Sequence, residues 1–436
     1  MDRFPTVAEV TESARQLVSR FPGAGRLRRI GTSRAGRPIL MLSVGHGPRH
    51  ILVVARPHPD EPVGGATALA LAEQVARGDR VSAATDPSVV TWDIVLCLDP
   101  DGAALSPGIE EATAGPDHTL DAYYRTAYRP VAAEQPEWAP IESRHLPESR
   151  ALFRVIDELR PFLQCSLHGV EAGGSWVQLT HDLPQLAVPF RMSAADLGIP
   201  VQHGTFDALY WENPGPGVYV LPPPDSTDRL AAGSANIGLS TWCAPARYGG
   251  VTAIVEVPMW ATDMADDLSP HPEPAPALRE LAGLVREGGR QVTAVLDKAR
   301  AFLPPAPHNP PRRVLEWMAD GLYDLVADSW EPLARQAAEA AHADGPPPLT
   351  TAQICALDIV ARRQPLRAAG LLLRLLRAAD DPAAPGLHRE LDELFTAWCR
   401  DFEKALRLRR VPVHHQVEHQ ARTVMAAAET APTALG

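Results

Sequence analysis

The sequence predicts an α/β fold, with a central sheet covered on both faces by helices, followed by an all-α C-terminal third. Three observations carry this expectation. Short continuous apolar runs such as Ile51-Leu52-Val53-Val54-Ala55 recur along the N-terminal part of the chain and alternate with helix-periodic segments, as strands buried on both faces do. A proline-dense stretch, Phe302-Leu303-Pro304-Pro305-Ala306-Pro307-His308-Asn309-Pro310-Pro311, then breaks the alternation and reads as a stiff linker. Beyond it only helical patterns remain. The expected organisation is a sheet domain over residues 1–302 and a helical domain over residues 313–436.

Each element has its own signal. From Val7 to Phe21, apolar residues at Val7, Val10, Ala14, Leu17 and Val18 follow the helix-capping Thr6. Gly31 to Gly45 reads as a turn-linked pair of short strands, with Ile39-Leu40-Met41-Leu42 in one of them. His50 to Ala55 is a buried strand, Val63 to Ala76 a helix rich in small residues, and Val89 to Leu98 another buried strand. Pro147 to Leu159 is an amphipathic helix; Phe162 to Leu167 is a strand ending at His168, and Gly250 to Val257 a strand delivering Glu256. Between them Gln202 to Gly250, rich in glycine, proline and aromatics (Phe206, Tyr210, Trp211, Tyr219, Trp242), reads as a rim and specificity loop. Helices are expected over Leu315 to Ala341, Thr350 to Ala379 and Gly386 to Leu408, with a fourth over Pro412 to Ala428.

Composition narrows the function. A 436-residue chain with 45% hydrophobic and 22% charged residues is globular, and long enough for two domains. Its net charge of −12 argues against nucleic acid as the main partner, because phosphate binding needs clustered positive charge. No uninterrupted apolar stretch reaches membrane-spanning length. The five cysteines are widely spaced without a Cys-x-x-Cys, which fits reduced thiols better than a disulfide framework. The start Met1-Asp2-Arg3-Phe4-Pro5 shows no secretory signal, so a cytoplasmic location is expected.

The chemistry concentrates at strand ends, where α/β sheets place reactive groups. His58-Pro59-Asp60-Glu61 directly follows the first apolar run, and a His-x-x-Glu pair leaving a strand can turn both side chains toward one point. With His168 from a separate strand they make three protein ligands, leaving the fourth zinc position open for water. Glu256 is then the further carboxylate available as a base. A competing pattern, His415-Gln416-Val417-Glu418-His419, is read as a polar helix face because no third ligand or buried strand surrounds it.

Taken in order, these residues resemble the zinc carboxypeptidase family, the group with the carboxypeptidase A-like fold. The resemblance runs through Gly31-Thr32-Ser33-Arg34-Ala35-Gly36-Arg37-Pro38-Ile39, His58-Pro59-Asp60-Glu61, Asp99-Pro100-Asp101-Gly102, Pro147-Glu148-Ser149, Leu167-His168-Gly169 and Thr252-Ala253-Ile254-Val255-Glu256. It covers residues 5 to 300 and implies a carboxypeptidase-like mixed sheet flanked by helices. By resemblance, His58, Glu61 and His168 are zinc ligands and Glu256 is the general base. The family's Asn-Arg pair for the substrate carboxylate is absent between Gly102 and His168; Arg125 in Tyr124-Arg125 is the nearest analogue and Arg129 the second. Tyr248, eight residues before Glu256, is the candidate for the family's active-site tyrosine.

The expectation is a zinc-dependent hydrolase, a metallopeptidase or amidohydrolase acting on a small peptide-like or N-acyl amino acid substrate. The alternative is an inactive carboxypeptidase-like scaffold acting through its helical domain. That domain is also the expected surface for any oligomer.

Overall fold

Among the described residues, ten strands form one mixed sheet in the order β1-β2-β4-β3-β5-β9-β6-β8-β7, with β10 paired to β9. The computed structural model describes residues 3–23, 25–78, 82, 84–113, 118–138, 145–205, 208, 211–222, 237–339 and 348–431. In chain order the elements are α1 (Val7–Arg20), β1 (Gly25–Thr32), β2 (Pro38–Val44), β3 (Arg49–Ala55), α2 (Val63–Arg77), β4 (Val90–Val95), α3 (Pro100–Ala104), α4 (Ile109–Ala112) and α5 (Leu120–Thr126). They continue with α6 (Pro147–Leu159), β5 (Leu163–Gly173), β6 (Trp176–Leu179), α7 (Ala187–Asp196), β7 (Glu212–Gly215), β8 (Val218–Val220) and β9 (Val251–Ala261). The helical part comprises α8 (Pro274–Ala299), α9 (Pro310–Trp317), α10 (Tyr323–Ser329), α11 (Glu331–Glu339), α12 (Thr351–Ala378), α13 (Ala384–Ala405), β10 (Arg409–Arg410) and α14 (Val413–Thr430).

The centre of the sheet is parallel: β3 lies between β4 and β5, and β9 runs beside β5. Both faces of β3 are buried, which is why it reads as an unbroken apolar run. Ile51, Val53 and Ala55 pack into a cluster with α1, α2, α7 and α14, whereas Leu52 and Val54 pack with α6. Each fully buried Val, Leu or Ile side chain among them stabilises the fold by about 1.5–3 kcal/mol. The edge strand β1 begins six residues before the expected Gly31, and its arginines concealed it. Arg26, Arg28 and Arg29 are at least partly exposed, as charges guarding a sheet edge are.

Helix starts follow local capping. The Thr6 hydroxyl accepts from the Glu9 backbone N–H, and the Glu9 carboxylate accepts from that of Thr6, a reciprocal cap for α1. The proline stretch does more than link. Asn309 accepts from the Arg312 N–H and Pro310 opens α9, where a missing N–H has no cost. The helix expected over 315–341 is broken, because Asp320 and Gly321 leave helical geometry and Gly321 takes φ 108°. Only glycine accepts that conformation cheaply.

Helices beyond residue 313 pack against the sheet part. β10 pairs with β9, setting Arg409 opposite Ala261 and Arg410 opposite Trp260. α14 lies against α2, α7 and β9, and α12 against α5, α8, α9 and α13. Gln420 on α14 donates through its amide to the carbonyls of His168 (2.7 Å) and Val255 (3.0 Å). No described helix is long and apolar enough to cross a membrane.

Candidate metal centre

The first part of the centre is a strained turn. After β3, Arg56 adopts a left-handed backbone at φ 47° and redirects the chain. Its buried guanidinium is held by Glu110 at 2.5 Å and by the Pro59 carbonyl at 3.1 Å, which ties the strain down. His58 and Glu61 lie in this turn, just before α2. Gly64 in the first turn of α2 permits a close approach, since a Cβ there would lie 3.1 Å from the Leu167 carbonyl oxygen on β5.

His168 comes from β5 and Glu256 from β9, both inside their strands. The sequence places each near a strand end, but the parallel β5/β9 ladder continues to Gly173 and Ala261. A polar residue in an apolar run resembles a terminus in sequence; here a partner strand satisfies the backbone on its far side.

His58, Glu61 and His168 are buried, and their ligand atoms all lie within 4.8 Å of one another. His58 Nδ1 is 3.1 Å from Glu61 Oε1, and His168 Nδ1 is 3.1 Å from Glu61 Oε2. The two rings meet edge to face at 4.8 Å. His168 Nε2 lies 3.0 Å from Glu137 Oε2, and the Ser166 hydroxyl reaches both Glu137 oxygens at 2.8 Å. A carboxylate accepts, so the His168 Nε2–H donates to Glu137, and Nδ1, beside Glu61, is the ring nitrogen left to face a metal. Burial, then Arg129, holds the His58 pKa below its ordinary value. Burial works against ionisation of Glu61, yet His58, Arg129 and His168 hold its carboxyl well below the usual range. Burial also disfavours a charged His168, but Glu61, Glu137 and Glu256 raise its pKa well above normal. Two imidazoles and a carboxylate that draw positive charge to one buried point fit zinc. Among the described residues this is the one His/Cys/Asp/Glu group able to hold a metal ion.

Glu256 stands beside that group. Its Oε1 is 3.8 Å from His168 Nδ1. Arg129 Nη1 bonds to Asp60 (2.9 Å) and Glu61 (2.6 Å), placing a cation against a ligand-type carboxylate. All five residues line a cavity of about 330 Å³ that also takes in Trp138, Trp176 and Trp242.

Two expected substrate residues lie elsewhere. Arg125 does not line the cavity; Asp121 and Asp392 hold its guanidinium at 2.5 and 2.6 Å, and it stacks over Phe395. The i, i+4 spacing of Asp121 and Arg125 on α5 turned it toward a structural partner. Tyr248 is also outside the cavity, in a short 3-10 turn, where its hydroxyl donates to Asp157 at 2.9 Å. In the C-terminal histidine pattern, His419 is buried between the hydroxyls of Ser193 (2.9 Å) and Ser175 (2.8 Å). Of the rim-loop aromatics, Trp211 and Trp242 line the cavity and Tyr219 is buried, whereas Phe206 and Tyr210 lie outside the described residues.

Other functional positions had little sequence signal. Glu137 lies in an unpatterned loop, and Arg363 and Arg367 sit on α12, far along the chain, yet both arginines line the cavity. The quoted motifs, by contrast, meet in space. The Asp101 carboxylate binds the Ser33 hydroxyl (2.7 Å), the Ala35 N–H (2.8 Å) and Arg37 (2.9 Å), while Glu148 accepts from the Arg34 N–H (2.9 Å). Asp99 accepts from the Gly102 N–H, and a Cβ on Gly102 would lie 2.3 Å from Asp99 Oδ2. The Asp-Pro-Asp-Gly stretch is therefore a clamp joining two segments as well as a turn.

The fold and this donor set support a zinc hydrolase. Residues 10–129, which contain His58 and Glu61, match the family model described as zinc carboxypeptidase, and the chain resembles that family. Similar solved structures include a metallo-carboxypeptidase from Burkholderia cenocepacia, at 15% identity over 58% of this chain and 58% of that one, with a TM-score of 0.38. Another is the carboxypeptidase A from Helicoverpa armigera, at 13% identity over 59% of this chain and 65% of that one, with a TM-score of 0.38. The chain thus spans less than two thirds of either structure. No curated protein sequence matches it.

Proposed function

We propose that the chain is a zinc-dependent hydrolase that cleaves an amide bond in a peptide-like or N-acyl amino acid substrate. His58, Glu61 and His168 hold the metal. Zinc bound there supplies a water acidic enough to ionise near neutral pH. Glu256 takes the proton from that water and delivers it to the leaving amine. Arg129, lining the cavity beside Glu61, is the cation assigned to stabilise negative charge that develops on the substrate oxygen. The surrounding tryptophans exclude bulk water and strengthen each of these interactions.

The observation that carries this reading is the position of Glu256: its carboxylate is 3.8 Å from His168 Nδ1 but is not part of the His58–Glu61–His168 group. A carboxylate beside the three-residue group but outside it could serve as the base toward a water held there. The protein is expected to act on small substrates. The test is turnover of a panel of N-acyl amino acids and short peptides by the zinc-loaded chain, with a chelated sample as control. Cleavage that is lost on chelation and restored by zinc supports the reading. Equal activity in the chelated sample would sink it.

A further inference from the structure

The metal cavity is not built by the sheet part alone. α12 lays one face over it, with Arg363, Gln364, Arg367 and Leu371 at helical spacing. Trp317 at the end of α9 and Met318 beyond it add an apolar wall. The helices after the proline stretch therefore complete the pocket.

Three arginines line this cavity, and their commitments differ. Arg129 is bonded to Asp60 and Glu61. Arg367 is bonded through Nε to Glu171 at 2.8 Å, with Asp60 at 3.4 Å from Nη2. Arg363 has only a long approach, Nη1 to Glu171 Oε2 at 3.8 Å, and its Nε is buried without a hydrogen-bond partner among the described residues. A guanidinium carries five N–H donors in a fixed fork that matches a carboxylate. A buried donor left unmade is costly. Among the described residues Arg363 is thus the cavity arginine least committed to protein acceptors.

Position limits that ligand's size. Glu171, beside Arg363, lies three residues past His168 on β5. At about 3.3 Å per residue that is about 10 Å along the strand, the reach of a substrate about three extended residues long. A cavity of about 330 Å³ is near the lower end of the roughly 300–1,000 Å³ usual for small-molecule sites.

We infer that Arg363 binds the carboxylate of a small amide substrate whose apolar group packs against Trp317 and Met318. The helical region then supplies the anion recognition for which the sheet part has no Asn-Arg pair. This inference rests on the hydrolase reading, but its test does not need turnover.

The experiment measures equilibrium binding to the full-length, zinc-loaded Glu256→Gln chain by calorimetry. The probes are N-benzoylglycine and N-benzoylphenylalanine, each beside its uncharged carboxamide. The expected result is that at least one acid binds about tenfold or more tighter than its amide, the worth of a charged hydrogen bond. Arg363→Ala erases that preference, while Arg363→Lys restores part of it, with zinc content and melting temperature kept. The inference is overturned if no acid is preferred over its amide, or if Arg363→Ala leaves the preference intact. An acid preference in a chain whose unsubstituted form never turns over would instead reject the hydrolase reading and leave Arg363 standing.

Discussion

His168 on β5 and Glu256 on β9 are partners in the register of one parallel ladder. Backbone pairing, rather than side-chain contact, brings the imidazole and the carboxylate to the same point. Changing the Glu256 side chain therefore leaves the strands where they are. Glu256→Gln keeps one zinc per chain by metal analysis while lowering turnover by about 10²–10⁴-fold or more, the usual worth of a general base. Loss of the metal along with activity would show that Glu256 is a ligand instead.

His58→Ala and His168→Ala each remove a proposed ligand, and both variants are expected to lose zinc on dialysis. Full zinc retention in both would refute the proposed centre. Glu137→Gln is a subtler case. It keeps the shape but weakens the acceptor that fixes the His168 proton on Nε2, so zinc affinity falls by about 10–100-fold in competition with a chelator.

His419 gives a pH signature away from the metal. Burial between Ser193 and Ser175 pushes its pKa down to about 3, against about 6.5 in an unfolded chain. Below pH 6.5 the unfolded chain takes up a proton that the native chain refuses. Stability is therefore full above that pH and is lost as pH falls toward 3. At pH 5 the loss is about 2 kcal/mol. In urea titrations, His419→Gln should show a shallower fall between pH 7 and pH 5 than the parent. Parallel curves would rule out the assignment.

Gln420→Leu removes both amide bonds to the His168 and Val255 carbonyls. The expected cost is about 1–3 kcal/mol in urea unfolding, with a detectable weakening of zinc binding because one of those carbonyls belongs to a proposed ligand residue. An unchanged unfolding midpoint would show that the helix does not brace the strands.

Arg125→Ala and Tyr248→Phe should leave KM unchanged on any substrate the chain cleaves. Tyr248→Phe alters a partly exposed contact and should shift stability by no more than about 0.5 kcal/mol. A raised KM in either variant would place that residue back at the substrate.

The sequence showed the site where local signals were strong. His58 and Glu61 follow an apolar run whose two faces are both buried, so strand and turn were readable together. The motif segments around Ser33, Asp101 and Glu148 were visible as letters, but their mutual hydrogen bonds were not. His168 and Glu256 were placed at strand ends because a polar residue within a buried ladder has the same pattern as a terminus. Glu137, Arg363 and Gln420 were missed for a different reason. Each acts through a partner far away in the chain, and no periodicity links a loop carboxylate or a late helix to a strand it touches.

The bracing of β5 and β9 by α14 also bears on when activity can arise. The Gln420 amide meets the His168 carbonyl across 252 positions of chain. A nascent polypeptide displays the His58–Glu61 pair early, yet it lacks the brace until α14 has left the ribosome. The strands that carry His168 and Glu256 are therefore without this brace for as long as residue 420 is unmade.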